Sequence, residues 1–350
     1  MTSTPGITDD VESKPRTFIL ASRASQLAQI QTNIVRDALQ AAFPSLSFDT
    51  SFMSTEGDKN QSQALYLLGG KALWTKELEV ALKDGTVDML VHSLKDVPTI
   101  LPDGCEIGAI LEREDAVDSL VVKQGLPYRN LDDLPDGSVI GTSSVRRVAQ
   151  LRRTFPRLQF MDVRGNLNTR LAKLDAPEGP FTALILAKAG LVRLGMGDRI
   201  TDNLDVPVLH HAVSQGALAV EIRSGDSQVR ELCEALTHGE TQWKCLAERA
   251  MLRKLEGGCS VPVGVTTSLT HVESGQAGLK NGLLQITGCV TSIDGSLHVQ
   301  DTLAETVQSP EDAEQLGNKL ATLLIDNGAG AILEDVGRDR AKRANEVKEK

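Results

Sequence analysis

The chain has 350 residues, a formal charge of −10, 41% hydrophobic and 24% charged residues, and only 3% aromatics. That composition supports two or three globular domains with largely aliphatic cores, and the net acidity argues against general nucleic-acid binding. No apolar run approaches the length of a membrane span.

Residues 1–16 are polar and acidic. They lack the apolar stretch of a secretory signal and the arginine-rich character of a mitochondrial one, so they read as a disordered tail. TFILA (17–21) predicts a buried strand. SRASQLAQIQTNIVRDALQAAF predicts a helix with Leu27, Ile30, Ile34, Val35, Ala38 and Leu39 at helical spacing, and FPSLSFDTSFM a turn and second strand. Such a β-α-β unit implies parallel pairing with a right-handed crossover. KALWTKELEVALKDG predicts a helix ended by Gly85, and VDMLVHS a buried strand. VIGTSSVRRVAQLRRTFPRLQFMDVRG repeats the first unit, down to FPRLQF (155–160) matching FPSLSF (43–48).

ALILAKAGLVRLG (183–195) adds a strand and helix, and HHAVSQGALAVEIR (210–223) reads as a return segment leading to a helix. From residue 238 the pattern changes. The helix QWKCLAERAMLRKLEGG precedes strand-like runs SVPVGVTTSL, GLLQITGCVTS and SLHVQDTLAE, then a helix over 310–328 and a frayed helical end. The expected fold class is therefore α/β: two similar α/β lobes around a cleft, in the manner of periplasmic binding proteins, plus a smaller α+β third domain with an antiparallel sheet. The expected division is 17–113 with 214–237 for the first lobe, 114–213 for the second and 238–350 for the third domain.

The five cysteines (Cys105, Cys233, Cys245, Cys259, Cys289) are odd in number and never at C-x-x-C spacing, which argues against a zinc site or a disulfide framework and for a reducing cytoplasm. His210 and His211 are adjacent and share no helix face, so no metal is expected.

Four stretches carry chemistry. VHSLKDVPT (91–99) sets Lys95 and Asp96 just past a buried strand, where α/β sheets bind ligands. GTSSVRR (141–147) offers Thr142, Ser143 and Ser144 as helix caps, with Arg146 and Arg147 behind free N–H groups suited to an anion. VRGNLNTRL (163–171) brings Arg164 and Arg170 around a turn. Residues 141–170 hold seven arginines against one acid, Asp162, a local excess suited to bidentate recognition of carboxylates. LEGGCSVPVG (255–264) leaves two readings open: a buried cysteine in a tight turn, or an exposed Cys259 serving as an attachment point or nucleophile.

SRASQLA (22–28), KALWTKELE (71–79), VDMLVHSLKDVPT (87–99), GTSSVRRVAQLRR (141–153), VRGNLNTRL (163–171), SQGALAVE (214–221) and LAERAMLRKLEGGCSVPVG (246–264) together resemble the porphobilinogen deaminase (hydroxymethylbilane synthase) family. The resemblance spans most of 17–264 and little after about residue 270. It implies a transferase of tetrapyrrole and heme biosynthesis whose Cys259 carries a dipyrromethane cofactor through a thioether. It further implies that Lys95, Ser143, Ser144, Arg146, Arg147, Arg164, Gly165, Arg170, Gln215 and Gly216 bind that cofactor. Arg23, Ser25, Arg164 and Arg170 would bind porphobilinogen, and Asp96 would be the catalytic carboxylate, assisting loss of ammonia and stabilising the resulting azafulvene. The expected protein is a cytoplasmic monomer with no metal, no nucleic acid and no membrane among its partners. Trp74 stands where many members have Phe, and Ser214 where the family usually has Gly, a position strained for Ser if φ is positive. Two other classes compete: a solute-binding protein, which gives Cys259 and Asp96 no role, and a thiol hydrolase, which lacks a nominated base.

Overall fold

The structure is a computed structural model that describes residues 16–55, 75–255, 261–272 and 281–348. The first lobe begins with strand β1 (Thr17–Arg23), helix α1 (Gln26–Ala42) and strand β2 (Ser47–Met53). Ser25 caps α1 by accepting from the Ala28 N–H. The helix buries Thr32, Val35 and Leu39 at spacings of three and four, while Ile34, one step round the helix, is 42% exposed. Helix α2 (Lys76–Lys83) ends before Gly85 at φ 75° and feeds β3 (Met89–Ser93), and β4 (Cys105–Ile110) follows.

The chain then crosses into a second sheet through β5 (Asp118–Val122), β6 (Val139–Gly141), α3 (Val145–Thr154), β7 (Gln159–Met161), α4 (Leu167–Asp175), β8 (Ala183–Ala187), α5 (Lys188–Arg193) and β9 (Asp202–Leu204). It returns to the first sheet through β10 (Leu218–Arg223) and helix α6 (Ser227–Glu234).

The two sheets have the same plan. Their orders are β2-β1-β3-β10-β4 and β7-β6-β8-β5-β9. In each, three parallel strands are joined by an antiparallel one, β10 or β5, that arrives straight from a crossing. The repeat seen in FPSLSF and FPRLQF is structural. Phe43 and Phe155 end α1 and α3 with matching backbone angles (φ −128° and −126°), and each carbonyl accepts from the leucine three residues on.

A third unit follows. Helix α7 (Gly239–Leu255) packs with α8 (Pro310–Leu324) on one face of an antiparallel sheet, β11 (Val263–Val272), β12 (Asn281–Thr291) and β13 (His298–Val307). Alternating β12 residues Leu284 and Ile286 join Met251, Leu316, Leu320 and Leu324 in one aliphatic core. The helix expected over 310–328 gives way at Ile325–Ala329 to a wider turn with Gly328 at φ 103°, and α9 (Gly330–Lys348) continues from there.

The segments that cross between the first two sheets run side by side: the Leu111 N–H donates to Leu218 and the Glu114 N–H to Gly216. Glu248 on α7, with no side-chain exposure, grips both. It accepts two bonds from Arg113 (2.6 and 3.0 Å), one from the Ser214 N–H (2.6 Å) and one from Thr267 (2.7 Å). Burial pushes its carboxyl up, but Arg113 and the buried donors outweigh that and hold it below the ordinary range. Ser214, the residue expected to be strained if φ were positive, sits at φ 62°. Gly216 has φ 90°, and a Cβ there would meet the Glu114 carbonyl at 2.2 Å.

These geometries set opposite signs for two substitutions, read from urea unfolding. Ser214→Gly relieves left-handed strain at some entropic cost, for a net gain of about 0.5–1 kcal/mol. Gly216→Ala forces the crossing segments apart and loses ~1–3 kcal/mol. A destabilised Ser214→Gly would contradict the hinge geometry.

Candidate active site

The parallel strands of both sheets aim their carboxyl ends at one cavity of about 450 Å³. Arg23 is the last residue of β1 and Ser93 the last of β3, while Ser143 follows β6 and Ala187 ends β8, and all four line the cavity. Six cationic side chains face it, Arg23, Lys95, Arg147, Arg164, Arg170 and Arg193, against one carboxylate among the described residues, Asp96. Ser25, Gly165 and Gly216 complete its wall among the residues expected from sequence. Gln26 and Asn168 meet across it at 2.6 Å, joining the start of α1 to α4.

Lys95 and Asp96 lie in the 3-10 turn Leu94–Asp96 that closes β3. Arg249 of α7 donates to the carbonyls of Val97 (3.2 Å) and Pro98 (2.6 Å), so the third unit fixes the chain immediately after Asp96. Lys95 donates from Nζ to Gln215 Oε1 at 3.2 Å. Its burial in the cavity wall pushes the ammonium down to about 8, with Asp96 opposing and Arg147 adding to the shift. Arg170 is pushed down to about 10 by burial and by Arg147 and Arg164, and stays protonated at neutral pH.

The second lobe supplies a cradle. Ser143 Oγ donates to the Val163 carbonyl (2.6 Å), tying the β6–α3 turn to the turn that bears Arg164. Gly165 at φ 111° offers its carbonyl to Arg170 Nε at 2.8 Å, and the Arg164 carbonyl accepts from Lys173. Ser144 is spent capping α3, accepting from the Arg147 N–H.

Arg146 and Arg147 diverge. Arg147 lines the cavity, but Arg146 does not; its Nη1 donates to the His210 carbonyl (2.6 Å). Both arginines converge on Asp118 of β5, Arg146 Nη2 at 2.7 Å and Arg147 Nη2 at 2.6 Å, while Arg147 Nη1 donates to the Ile185 carbonyl. Gln215 also reaches Asp118 (2.9 Å) and the Ala116 carbonyl rather than the cavity. Burial pushes the Asp118 carboxyl up, yet the two guanidiniums outweigh it and hold the group well below the usual carboxylate range.

Sequence reasoning does not single out Asp118. Its one signal is an acid opening the otherwise uncharged strand DSLVV, a placement tolerated only beside cations. Arg193 is missed as well. It lines the cavity and donates to the Gly216 carbonyl at 2.7 Å, and its signal is a lone arginine in the apolar run AGLVRLG. The His210–His211 pair diverges. His210 bonds Thr266 and Gln300, and His211 bonds the Ala212 carbonyl.

Cys259 and Trp74 lie outside the described residues. The four described thiols are unpaired: Cys233, Cys245 and Cys289 are buried and pushed up to about 12 by burial, and Cys105 to about 11. None is suited to nucleophilic attack at neutral pH. For a dipyrromethane the cavity fits on its donor set, which offers guanidiniums and an ammonium for acetate and propionate groups and one carboxylate for pyrrole N–H donors.

Comparison with known proteins agrees with this chemistry. Residues 18–231 match the family model described as porphobilinogen deaminase, dipyromethane cofactor binding domain, and residues 243–326 match the porphobilinogen deaminase C-terminal domain. Porphobilinogen deaminase of Yarrowia lipolytica is 48% identical over 97% of this chain and 98% of its own length. That of Nostoc sp. is 49% identical over 94% and 98%, and that of Synechococcus elongatus 50% over 93% and 97%.

The charge on Lys95 is open to direct measurement. In ligand-free protein carrying 13C-methylated lysines, the Lys95 signal should titrate near pH 8. Arg147→Leu should move it upward, because a like charge has gone. A midpoint above about 10, the ordinary lysine value, in the unsubstituted protein would show that the cavity wall does not desolvate this ammonium.

Proposed function

The chain belongs to the porphobilinogen deaminase family, and from that premise we propose which of its residues carry the reaction. Four molecules of porphobilinogen are joined head to tail, each with loss of one ammonia, and one water releases the linear tetrapyrrole hydroxymethylbilane. The observation that carries the assignment of the site is the cavity wall, to which the described residues bring six cations and a single carboxylate. Family membership sets aside a solute-binding protein and a thiol hydrolase.

When bound, the dipyrromethane would supply the free pyrrole α-carbon that takes the first substrate, and each later substrate would add to the terminal ring of the growing chain. Cys259 is its attachment point. In support, the four other thiols are pushed to about 11 or 12 and so cannot serve at neutral pH. Lys95, Arg147, Arg164 and Arg170 take carboxylates, with Ser143 and Gly165 shaping the turns that hold them. Arg23, at the end of β1, and Ser25, the N-cap of α1, receive the incoming porphobilinogen, and Arg193 extends the same wall. Arg146, Ser144 and Gln215 act behind that wall, because their polar groups are turned to protein atoms.

Asp96 sits where a carboxylate can accept from a pyrrole N–H and offset the positive charge that develops as the protonated amine departs. The Arg249 grip on Val97 and Pro98 keeps that oxygen from drifting.

We further propose that the chain acts as a cytosolic monomer divided at about residues 113, 213 and 237. The unpaired thiols suit a reducing compartment, and no described helix is long and apolar enough to cross a membrane.

Purified protein should carry a mass excess of two porphobilinogens less two ammonias, mapped to Cys259 by peptide analysis, and Cys259→Ser should fold without it; an adduct on Cys245 would overturn the assignment. Asp96→Asn, which removes the charge at constant size, should lose activity by at least about 10²-fold, the scale of one lost electrostatic contact in a transition state. Asp96→Glu should retain measurable turnover. Equal activity in the two would mean that the negative charge is dispensable.

A further inference from the structure

Asp118 is the one acid that two adjacent arginines share. It has no side-chain exposure and accepts Arg146 and Arg147 at 2.7 and 2.6 Å, one on each oxygen. A third donor, Gln215 Nε2, reaches it at 2.9 Å, and the same amide's oxygen accepts from Lys95 Nζ at 3.2 Å. A continuous chain of charged and polar contacts thus runs from Arg147 on one lobe, through Asp118 and the crossing segment, to Lys95 on the other lobe. Arg147 and Lys95 both line the cavity, whereas Asp118 does not touch it.

Arg147 has a buried Nε with no partner among the described atoms, so its direction is set by its two Nη groups: one on Asp118, one on the Ile185 carbonyl. Gln215 is likewise oriented by its two acceptors, Asp118 and the Ala116 carbonyl. Without Asp118, two neighbouring guanidiniums would face each other with no counter-charge, and the amide that turns its oxygen to Lys95 would lose one of the two contacts that fix it.

We propose that Asp118 is the positioning residue of the cofactor seat, orienting Arg147 directly and Lys95 through Gln215, so that cations from both lobes are held ready for the carboxylates of an incoming dipyrromethane. This rests on the reading that Lys95 and Arg147 hold that group. Asp118 touches neither cofactor nor substrate; it acts through the residues that do.

The charged groups around Lys95 give the proposal a readout that a merely structural role would not move. Asp96 on its own turn and Asp118 on β5 favour the ammonium, while Arg147 and Arg146 on α3 oppose it. Removing the Asp118 charge therefore lowers the pH at which Lys95 is lost as a cation. The folded-state midpoint of Lys95 lies near 8, so its ammonium is present below that pH and lost above it.

The test uses full-length protein produced without porphobilinogen, then given porphobilinogen over pH 6.5–9.5 (about the span of that titration), with adduct formation followed by intact mass. Wild-type loading should fall as pH rises through about 8. Asp118→Asn should load at least about tenfold more slowly, the scale of one lost charged hydrogen bond, and its alkaline fall should move to lower pH. Asp118→Glu keeps the charge but displaces it. It should load slowly with the fall near the wild-type position.

If Asp118→Asn does not fold, Gln215→Met decides the matter. It cuts the link to Lys95, leaves both arginine pairs in place, and should shift the fall to lower pH. An alkaline fall at the wild-type pH in every folded variant, with loading reduced only in step with thermal stability, would overturn the proposal. Arg147→Leu separates the two readings. Normal loading in that variant would mean that the seat itself is wrongly assigned, whereas blocked loading there beside normal loading in Asp118→Asn would sink only the positioning role.

Discussion

The six cations that the described residues bring to one small cavity repel each other, and the fold must hold them in place. The buried contact between Asp118 and the paired arginines Arg146 and Arg147 is where that conflict is resolved. A carboxylate removed from water is costly unless its oxygens are filled, and here three donors fill them. One acid for two arginines leaves a net positive charge, and the geometry directs it: Arg146 turns back to the His210 carbonyl while Arg147 stays at the cavity. An acidic protein, −10 overall, thereby presents a strongly cationic interior surface.

The same economy governs the junction between lobes. Two segments cross between the first two sheets, and Glu248 of the third unit ties both through Arg113 and the Ser214 N–H. The next residue of α7, Arg249, holds the carbonyls that follow Asp96. The third unit is therefore more than a carrier for its own sheet. Adjacent residues of one helix fix the hinge and the turn that bears the carboxylate. Gln26 and Asn168, both in the cavity wall, add a further hydrogen bond between the lobes.

How much of this was legible in the sequence differs by level. The β-α-β units were legible because hydrophobic period and helix punctuation are local properties, and Ser144 proved to be the cap among the three candidates Thr142, Ser143 and Ser144. The short repeat FPSLSF/FPRLQF marked a real structural duplication because a helix end and the following strand start depend on the same few side chains. The cavity arginines were legible as a charge excess. Their division was not, since whether Arg146 or Arg147 faces the ligand depends on β5, nearly thirty residues away in sequence. Asp118, Arg193 and Arg249 escaped for the same reason: each looks ordinary within its own segment and gains its role from a partner on another. Ile34 shows the reverse error, an apolar residue at plausible helical spacing that the sheet leaves exposed.

The central claim is that this cationic wall seats the carboxylates of a covalently held pyrrole chain while Asp96 meets the pyrrole N–H groups. A crystal structure of the protein after loading with porphobilinogen tests it most directly. Electron density for the rings should run continuously from the sulfur of Cys259 into the cavity. Their carboxylates should lie within hydrogen-bond distance of Lys95, Arg147, Arg164 or Arg170, with Asp96 in reach of both ring nitrogens. Rings seated outside this cavity, or carboxylates facing solvent while Asp96 stands apart from every pyrrole nitrogen, would contradict it.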